Sequence, residues 1–165
     1  MKRSVLSILV ENQFGVLSRV TGLFSRRGFS IDSLSVGVTE DTNVSRITIT
    51  VIDSDDLIDQ IIKQVEKLVE VIEVVQLDNE ESVCREIALI KVKTTDANRT
   101  EIVGMVDIFR ANIVDVAKES VIIEMTGDSK KVDVLVNLLM EYGIVEMTRT
   151  GVTALSRGSK DLALK

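Results

Sequence analysis

The sequence predicts an α+β chain of two successive β-α-β-β-α-β units, and three observations carry the prediction. Apolar residues repeat with period two in some stretches and with period 3.6 in others, and the two kinds alternate. The order strand, helix, strand, strand, helix, strand is complete by residue 77 and starts again after a polar break at residues 78–82. Glycines punctuate the scheme: Gly15 stands where a helix begins, and Gly28 and Gly143 stand where helices must stop. This order is the tandem ferredoxin-like arrangement, with expected divisions at residues 1–78 and 83–157 and a tail at 158–165.

In the first half, residues 5–10 form an apolar run broken only by Ser7, as expected for a short central strand buried on both faces. Val16, Leu17, Val20, Leu23 and Phe24 then lie on one face of a helix, with Arg26 and Arg27 in the last turn, where cations suit the dipole. After Gly28, Phe29 and Ile31 alternate with Ser30 and Asp32, but Leu34, Val36 and Val38 resume in the opposite phase. A strand over residues 29–38 with a bulge near Ser33 is therefore expected. A turn at residues 40–43 leads to a strand with Ile47, Ile49 and Val51 on one face. Leu57, Ile58, Ile61, Ile62, Val65, Leu68 and Val69 mark a second amphipathic helix, and residues 71–77 close the unit as a strand. Asp53, Asp55 and Asp56 fall just before that helix, where acids complementing the dipole explain them better than a cation site does.

The second half repeats the order. Residues 86–93 read as a strand, and residues 99–110 as a helix with Ile102, Val103, Val106 and Phe109 inward. A strand pair over 113–117 and 121–126 follows. Gly127-Asp128-Ser129 offers a cap to a helix through Val132, Leu135, Leu138 and Leu139, Gly143 stops it, and residues 144–150 form the closing strand. From Gly151 onward, most of the chain is expected to be loosely ordered. Ser156-Arg157-Gly158-Ser159-Lys160 reads as a solvated terminus rather than a phosphate loop.

The start of the first helix is where a ligand could be held. With Gly15 there, no side chain shields the first backbone N–H groups, which lack intrahelical partners and carry partial positive charge; a carboxylate could lie directly on them. Asn12 supplies a donor and an acceptor three residues earlier. The alternative is that Gly15 merely permits a tight turn and Asn12 caps the helix.

Composition narrows the function. At 165 residues with 45% hydrophobic content the chain can build packed cores, and no apolar run approaches the roughly 18 residues of a membrane span. Met1-Lys2-Arg3 leads straight into a strand, so a cytoplasmic location is expected. There is no histidine, which removes histidine-dependent triads and the commonest general base. The single cysteine, Cys84, permits no internal disulfide and reads as structural. Aromatics at 3%, no Trp and a net charge of −6 argue against nucleic acid as a partner. Gly15, Gly22 and Gly28 are spaced too widely for a dinucleotide loop, and no P-loop occurs.

Several blocks together resemble one family. They are Ser4-Val5-Leu6-Ser7-Ile8-Leu9-Val10-Glu11-Asn12, Gly15-Val16-Leu17-Ser18-Arg19, Gly22-Leu23-Phe24-Ser25-Arg26-Arg27-Gly28-Phe29, Ile31-Asp32-Ser33-Leu34, Ser45-Arg46, Arg149-Thr150-Gly151 and Leu155-Ser156-Arg157-Gly158. The first of these look like the opening of an ACT domain, the small amino-acid-sensing module. The whole set is most similar to the small regulatory subunits of acetolactate synthase, or acetohydroxyacid synthase. The resemblance implies an ACT domain followed by an ACT-like domain. It also implies a non-catalytic subunit that activates a catalytic large subunit and confers feedback inhibition by valine in branched-chain amino acid biosynthesis. Thiamine diphosphate, FAD and magnesium would belong to that large subunit. Carried over by position, Asn12, Gln13, Phe14, Gly15, Val16 and Leu17 would form the effector site of one chain. Ser30 and Ile31 would come from a second copy in a homodimer. Many members have asparagine where this chain has Ser30, and a hydroxyl offers fewer hydrogen bonds.

The residues agree with a homodimer. Halves of about 75 residues lie near the lower limit for a self-sufficient core. In this topology the second strand is an edge, which must be paired, covered or charged, and residues 29–38 carry only Asp32 as a charge. Two other classes remain beside the regulatory one: an adaptor that binds no ligand, and an independent small enzyme on a fold that also hosts acylphosphatases. The missing histidine weighs against the enzyme.

Overall fold

The computed structural model describes residues 2–78 and 80–158. These fall into a first unit, the chain up to Cys84 together with the chain from Val152, and a second unit, Arg85–Gly151. The first unit runs β1 (Lys2–Glu11), α1 (Val16–Arg27), β2 (Ser33–Val38), β3 (Val44–Asp53), α2 (Asp55–Val65) and β4 (Val71–Leu77). Its antiparallel sheet has the order β2-β3-β1-β4, so β2 is an edge and β1 is central, as the apolar run at residues 5–10 requires.

Alternation sorts the side chains. Leu6, Ile8 and Val10 of β1 share one sheet face with Ile47, Ile49 and Val51 of β3, against Val16, Val20 and Phe24 of α1 and Ile58, Ile61 and Val65 of α2. Phe24 is fully buried and meets Phe29 edge to face, with ring centroids 6.0 Å apart and planes at 81°. Removing a side chain of that size from water contributes about 2–3 kcal/mol, which fixes α1 on the sheet. Gly28 ends the helix in the left-handed region, φ 71°, with its N–H on the Phe24 and Ser25 carbonyls.

Four expectations are corrected here. The phase change near Ser33 is not a bulge: β2 begins at Ser33 and pairs with β3 in unbroken register from Ser33 opposite Thr50 to Val38 opposite Ser45. Residues 29–32 connect α1 to the strand, and Phe29 and Ile31 are half-buried against the core because they pack on it as a loop. The second helix ends at Val65 rather than reaching Val69; Leu68 packs against the core from the following turn while Val69 is exposed. Beyond Gly151 the chain is ordered: β9 (Thr153–Ser156) pairs β5, whose first residues belong to the same unit. Val152 and Ala154 are buried with Val5 and Leu77. Arg157 donates its backbone N–H to the Glu81 carbonyl at 2.7 Å and its Nε to that of Ser82 at 3.1 Å. These contacts place residues 152–157 in the first unit, whereas the sequence reading puts them with the second half. The expected tail at 158–165 lies, beyond Gly158, outside the described residues.

The second unit contains most of β5 (Ser82–Lys93), then α3 (Arg99–Phe109), β6 (Asn112–Val116), β7 (Ser120–Gly127), α4 (Ser129–Leu139), a 3-10 turn (Met140–Tyr142) and β8 (Ile144–Arg149). The sheet order is β6-β7-β5-β8, the same winding as in the first unit. Ala88, Ile90 and Val92 of β5 and Val121, Ile123 and Met125 of β7 face Ile102, Val106, Val132, Leu135, Val136 and Leu139 of the helices. Val103, expected inward, is exposed on α3. Asp128 caps α4, its Oδ1 accepting from Lys131 N at 2.8 Å, and Gly143 ends the helical segment with φ 91°. Among the described residues no helix is long and apolar enough to cross a membrane.

Candidate functional site

The turn between β1 and α1 is built from backbone. Gly15 is the residue before the helix and adopts φ 85°, ψ −6°, a left-handed conformation that glycine takes without the strain a Cβ would bring. No side chain caps α1, and its first turn holds no acidic residue. A Cβ built on Gly15 would meet nothing within 4 Å. The Val16 N–H donates to the Gln13 carbonyl at 3.4 Å, and no side chain caps this positive end of the α1 dipole, where a carboxylate could be placed. Val16 anchors the first turn in the core, Leu17 is half-exposed and Phe14 stands fully in solvent.

Asn12 does not cap the helix. Its Nδ2 donates to the Thr42 carbonyl at 2.9 Å, its Oδ1 accepts from the Ser45 hydroxyl at 3.1 Å, and its own N–H donates to the Asn43 carbonyl at 2.6 Å. The side chain thus ties the end of β1 to the β2–β3 hairpin. One N–H and one lone pair on Oδ1 are left for a ligand. Gln13 reaches back to the Glu11 carboxylate at 2.9 Å. The hairpin residues Thr42, Asn43 and Ser45 were not foreseen as part of this region. They lie about thirty positions away, and only the pairing of β1 with β3 brings them here.

Asn12 to Leu17 are contiguous on this turn, but Ser30 and Ile31 are not beside them. They lie between α1 and β2, at the far end of a 12-residue helix about 18 Å long, Ser30 exposed and Ile31 half-buried. One chain thus holds the two groups at opposite ends of α1. Asp32, the next residue, bonds its N–H to the Thr50 carbonyl at 2.8 Å and pairs its carboxylate with Arg3 at 2.9 Å. Asp55 and Asp56 sit in the first turn of α2, and among the described residues no cluster of His, Cys, Asp or Glu is arranged to hold a metal ion.

Two family models match the chain. One, described as the AHAS (acetohydroxyacid synthase) small subunit-like ACT domain, covers residues 6–73; the other, described as the small subunit of acetolactate synthase, covers residues 85–158. A protein of Archaeoglobus fulgidus named "Probable acetolactate synthase small subunit" is 50% identical over 158 residues, 96% of this chain and 99% of that one. The acetolactate synthase small subunit of Bacillus subtilis is 44% identical over 164 residues, 99% of this chain and 95% of that one. The crystal structure of the acetolactate synthase small subunit from Thermotoga maritima matches with a TM-score of 0.90 at 44% identity, covering 97% of this chain and all of that one. An open, glycine-started helix in the first unit, a second unit of the same winding, and matches that run through both place this chain in the acetolactate synthase small-subunit family, as a regulatory subunit carrying an ACT domain.

Proposed function

We propose that this chain activates the catalytic large subunit of acetolactate synthase and makes it sensitive to valine or a related branched-chain amino acid. The observation that carries the reading is the uncapped α1 terminus behind Gly15. The effector's carboxylate lies on the first N–H groups of α1, and its ammonium group is met by the remaining acceptor of Asn12. Gln13 and Phe14 shape the turn, Val16 and Leu17 the helix start, and Ser30 and Ile31 close the site from a second copy. A homodimer through the β2 edges supplies that second copy and pairs backbone groups the edge otherwise leaves to water. Thiamine diphosphate, FAD and magnesium belong to the large subunit, and the complex works in the cytoplasm.

Feedback then follows from linkage. An effector bound across two chains favours the arrangement of the paired sheets that it binds best, and a coupling of about 1–3 kcal/mol between sites is typical. The test is Gly15→Asp in the reconstituted enzyme. Aspartate tolerates the left-handed region better than most residues and has room at this position, so the chain should fold. Its carboxylate repels that of the effector. Valine inhibition should disappear while activation persists; inhibition unchanged from the unsubstituted enzyme would remove the site from this turn. Calorimetry with the isolated chain separates a sensor, which gives heat with valine, from an adaptor, which gives none.

A further inference from the structure

β2 is tied by two side chains to a residue more than a hundred positions later. Ser35 Oγ donates to the Val152 carbonyl at 2.8 Å, and the Val152 N–H donates to Ser33 Oγ at 3.3 Å. Both backbone polar groups of Val152 are therefore held by the edge strand. The protons along this connection have one assignment. Asp32 is a carboxylate that only accepts, so the buried Thr50 hydroxyl spends its single proton on Asp32 Oδ2, at 3.1 Å. Ser33, 2.6 Å from Thr50 Oγ1, must donate to it, and this leaves the Ser33 oxygen to accept from Val152. Arg3, 2.9 Å from Asp32, holds the far end. The result is a directed chain from the Val152 N–H through Ser33 and Thr50 to Asp32.

Val152 is where the polypeptide re-enters the first unit, directly after Gly151 with φ 80°. Three residues earlier, Arg149 is fixed within the second unit. It lies 3.3 Å from the carboxylate of Glu86, which is 3% exposed, and 2.7 Å from Asp133. Residues 149–152 thus carry one anchor in each unit.

We infer that Ser33 and Ser35 form a latch through which the position of β2 is passed along the chain to the second unit. The inference rests on the proposed effector site, because Ser30 and Ile31 immediately precede Asp32. An effector that moves them withdraws the carboxylate from Thr50. The chain then loses its charged end: the Thr50 hydroxyl no longer donates to an anion, the Ser33–Thr50 bond is less polarised, and the hold of Ser33 on the Val152 N–H weakens with it. The chain with its charged end engaged and the chain without it are the two states of the switch.

The test is hydrogen exchange on the full chain with and without valine, for the unsubstituted protein, the double variant Ser33→Ala/Ser35→Ala, and Ser35→Thr, which keeps the hydroxyl. In the unsubstituted chain valine should slow exchange at residues 12–17 and change it at residues 149–156, the latter by at least about fivefold, the low end of typical coupling between sites. The double variant should bind valine within about twofold and keep the response at 12–17, yet lose that at 149–156, whereas Ser35→Thr should keep both. With the catalytic subunit, the double variant should need at least about fivefold more valine for half-inhibition, with activation unchanged. A response at 149–156 in the double variant equal to the unsubstituted one overturns the latch. No response at 12–17 in the unsubstituted chain overturns the effector site and the latch together, and it is told apart because it needs no substitution.

Discussion

The two units wind their strands and helices in the same order but begin their first helices in opposite ways. In the first, Asn12 follows β1 with its N–H on the Asn43 carbonyl; in the second, Thr94 follows β5 with its N–H on the Glu119 carbonyl at 2.9 Å. From there they diverge. The first reaches α1 through Gly15 and leaves the positive helix end without a side-chain cap. The second fastens the turn before α3 (Arg99–Phe109) with side chains: Asn98 Oδ1 accepts from Thr95 N at 2.7 Å, and Thr95 Oγ1 from Asn98 N at 3.4 Å. It also begins α3 with Arg99, whose guanidinium donates to the carbonyls of Ala117 at 3.3 Å and Lys118 at 2.6 Å. A cation at a helix N-terminus opposes the dipole and already occupies the hairpin carbonyls. One winding therefore leaves the first helix start of one unit without a side-chain cap and braces that of the other, and the difference lies in a glycine and an arginine.

The edges differ in the same sense. β2 runs six residues in continuous register with no charge, and Val36 and Val38 are about half-exposed. β6 is shorter, its register shifts between Ile113 and Asp115, and it carries that aspartate. An irregular, charged edge resists pairing, whereas a straight apolar one invites it. The largest expected effect follows from this contrast. Val36→Asp should weaken self-association of the chain at least about tenfold, equivalent to about 1.4 kcal/mol, because two copies would bring like charges together. Val114→Asp on β6 should leave association as it was. Sedimentation equilibrium decides: if both substitutions act alike, β2 is not the pairing edge.

The contrast at the helix starts is sharpened by a pair of deletions. Arg99→Ala removes charge-assisted bonds and should cost about 1–2 kcal/mol of stability, while Asn12→Ala removes neutral ones and should cost about 0.5–1.5 kcal/mol. In addition, Asn12→Ala should weaken valine binding, and Arg99→Ala should not. Thermal unfolding gives the first comparison and calorimetry the second; equal loss of valine binding in both would erase the distinction drawn between the two units.

What was legible in the sequence was local. Gly15, Gly28 and Gly143 marked turns that all prove to need positive φ, and the spacing of Val16, Val20 and Phe24 placed α1 on the core. The misreadings share a cause. Apolar residues of a loop that packs on the core keep a regular-looking alternation, so Phe29 and Ile31 read as strand and Leu68 as a continuation of a helix that ends at Val65. The segment from Val152 was missed because its order comes from partners far away in sequence, Val5, Ser33, Ser35 and Leu77. The double engagement of Asn12 was hidden for the same reason.

The smallest expected effect concerns the outward faces of the two central strands. On β1, Leu9 stands opposite Glu73 of β4 and is buried; on β5, Lys91 stands opposite Glu146 of β8, and the pair is exposed. The hydrogen bond from Lys91, aided by its charge, lowers the Glu146 pKa below its ordinary 4.5, and the same bond and charge raise that of Lys91 above 10.5. The signs follow by linkage: the Glu146 contribution is present above about pH 4.5 and lost as pH falls through the lowered value, and the Lys91 contribution is present below about pH 10.5 and lost as pH rises through the raised one. Between those limits the pair adds no pH dependence to stability, and being exposed it adds little stability at all. Replacing Lys91 by Met should return the Glu146 carboxyl to its ordinary titration, read by NMR, and leave the first unit and its valine response untouched. A change in that response would show that the outward face of the second sheet participates in regulation, which the open helix start of the first unit alone does not require.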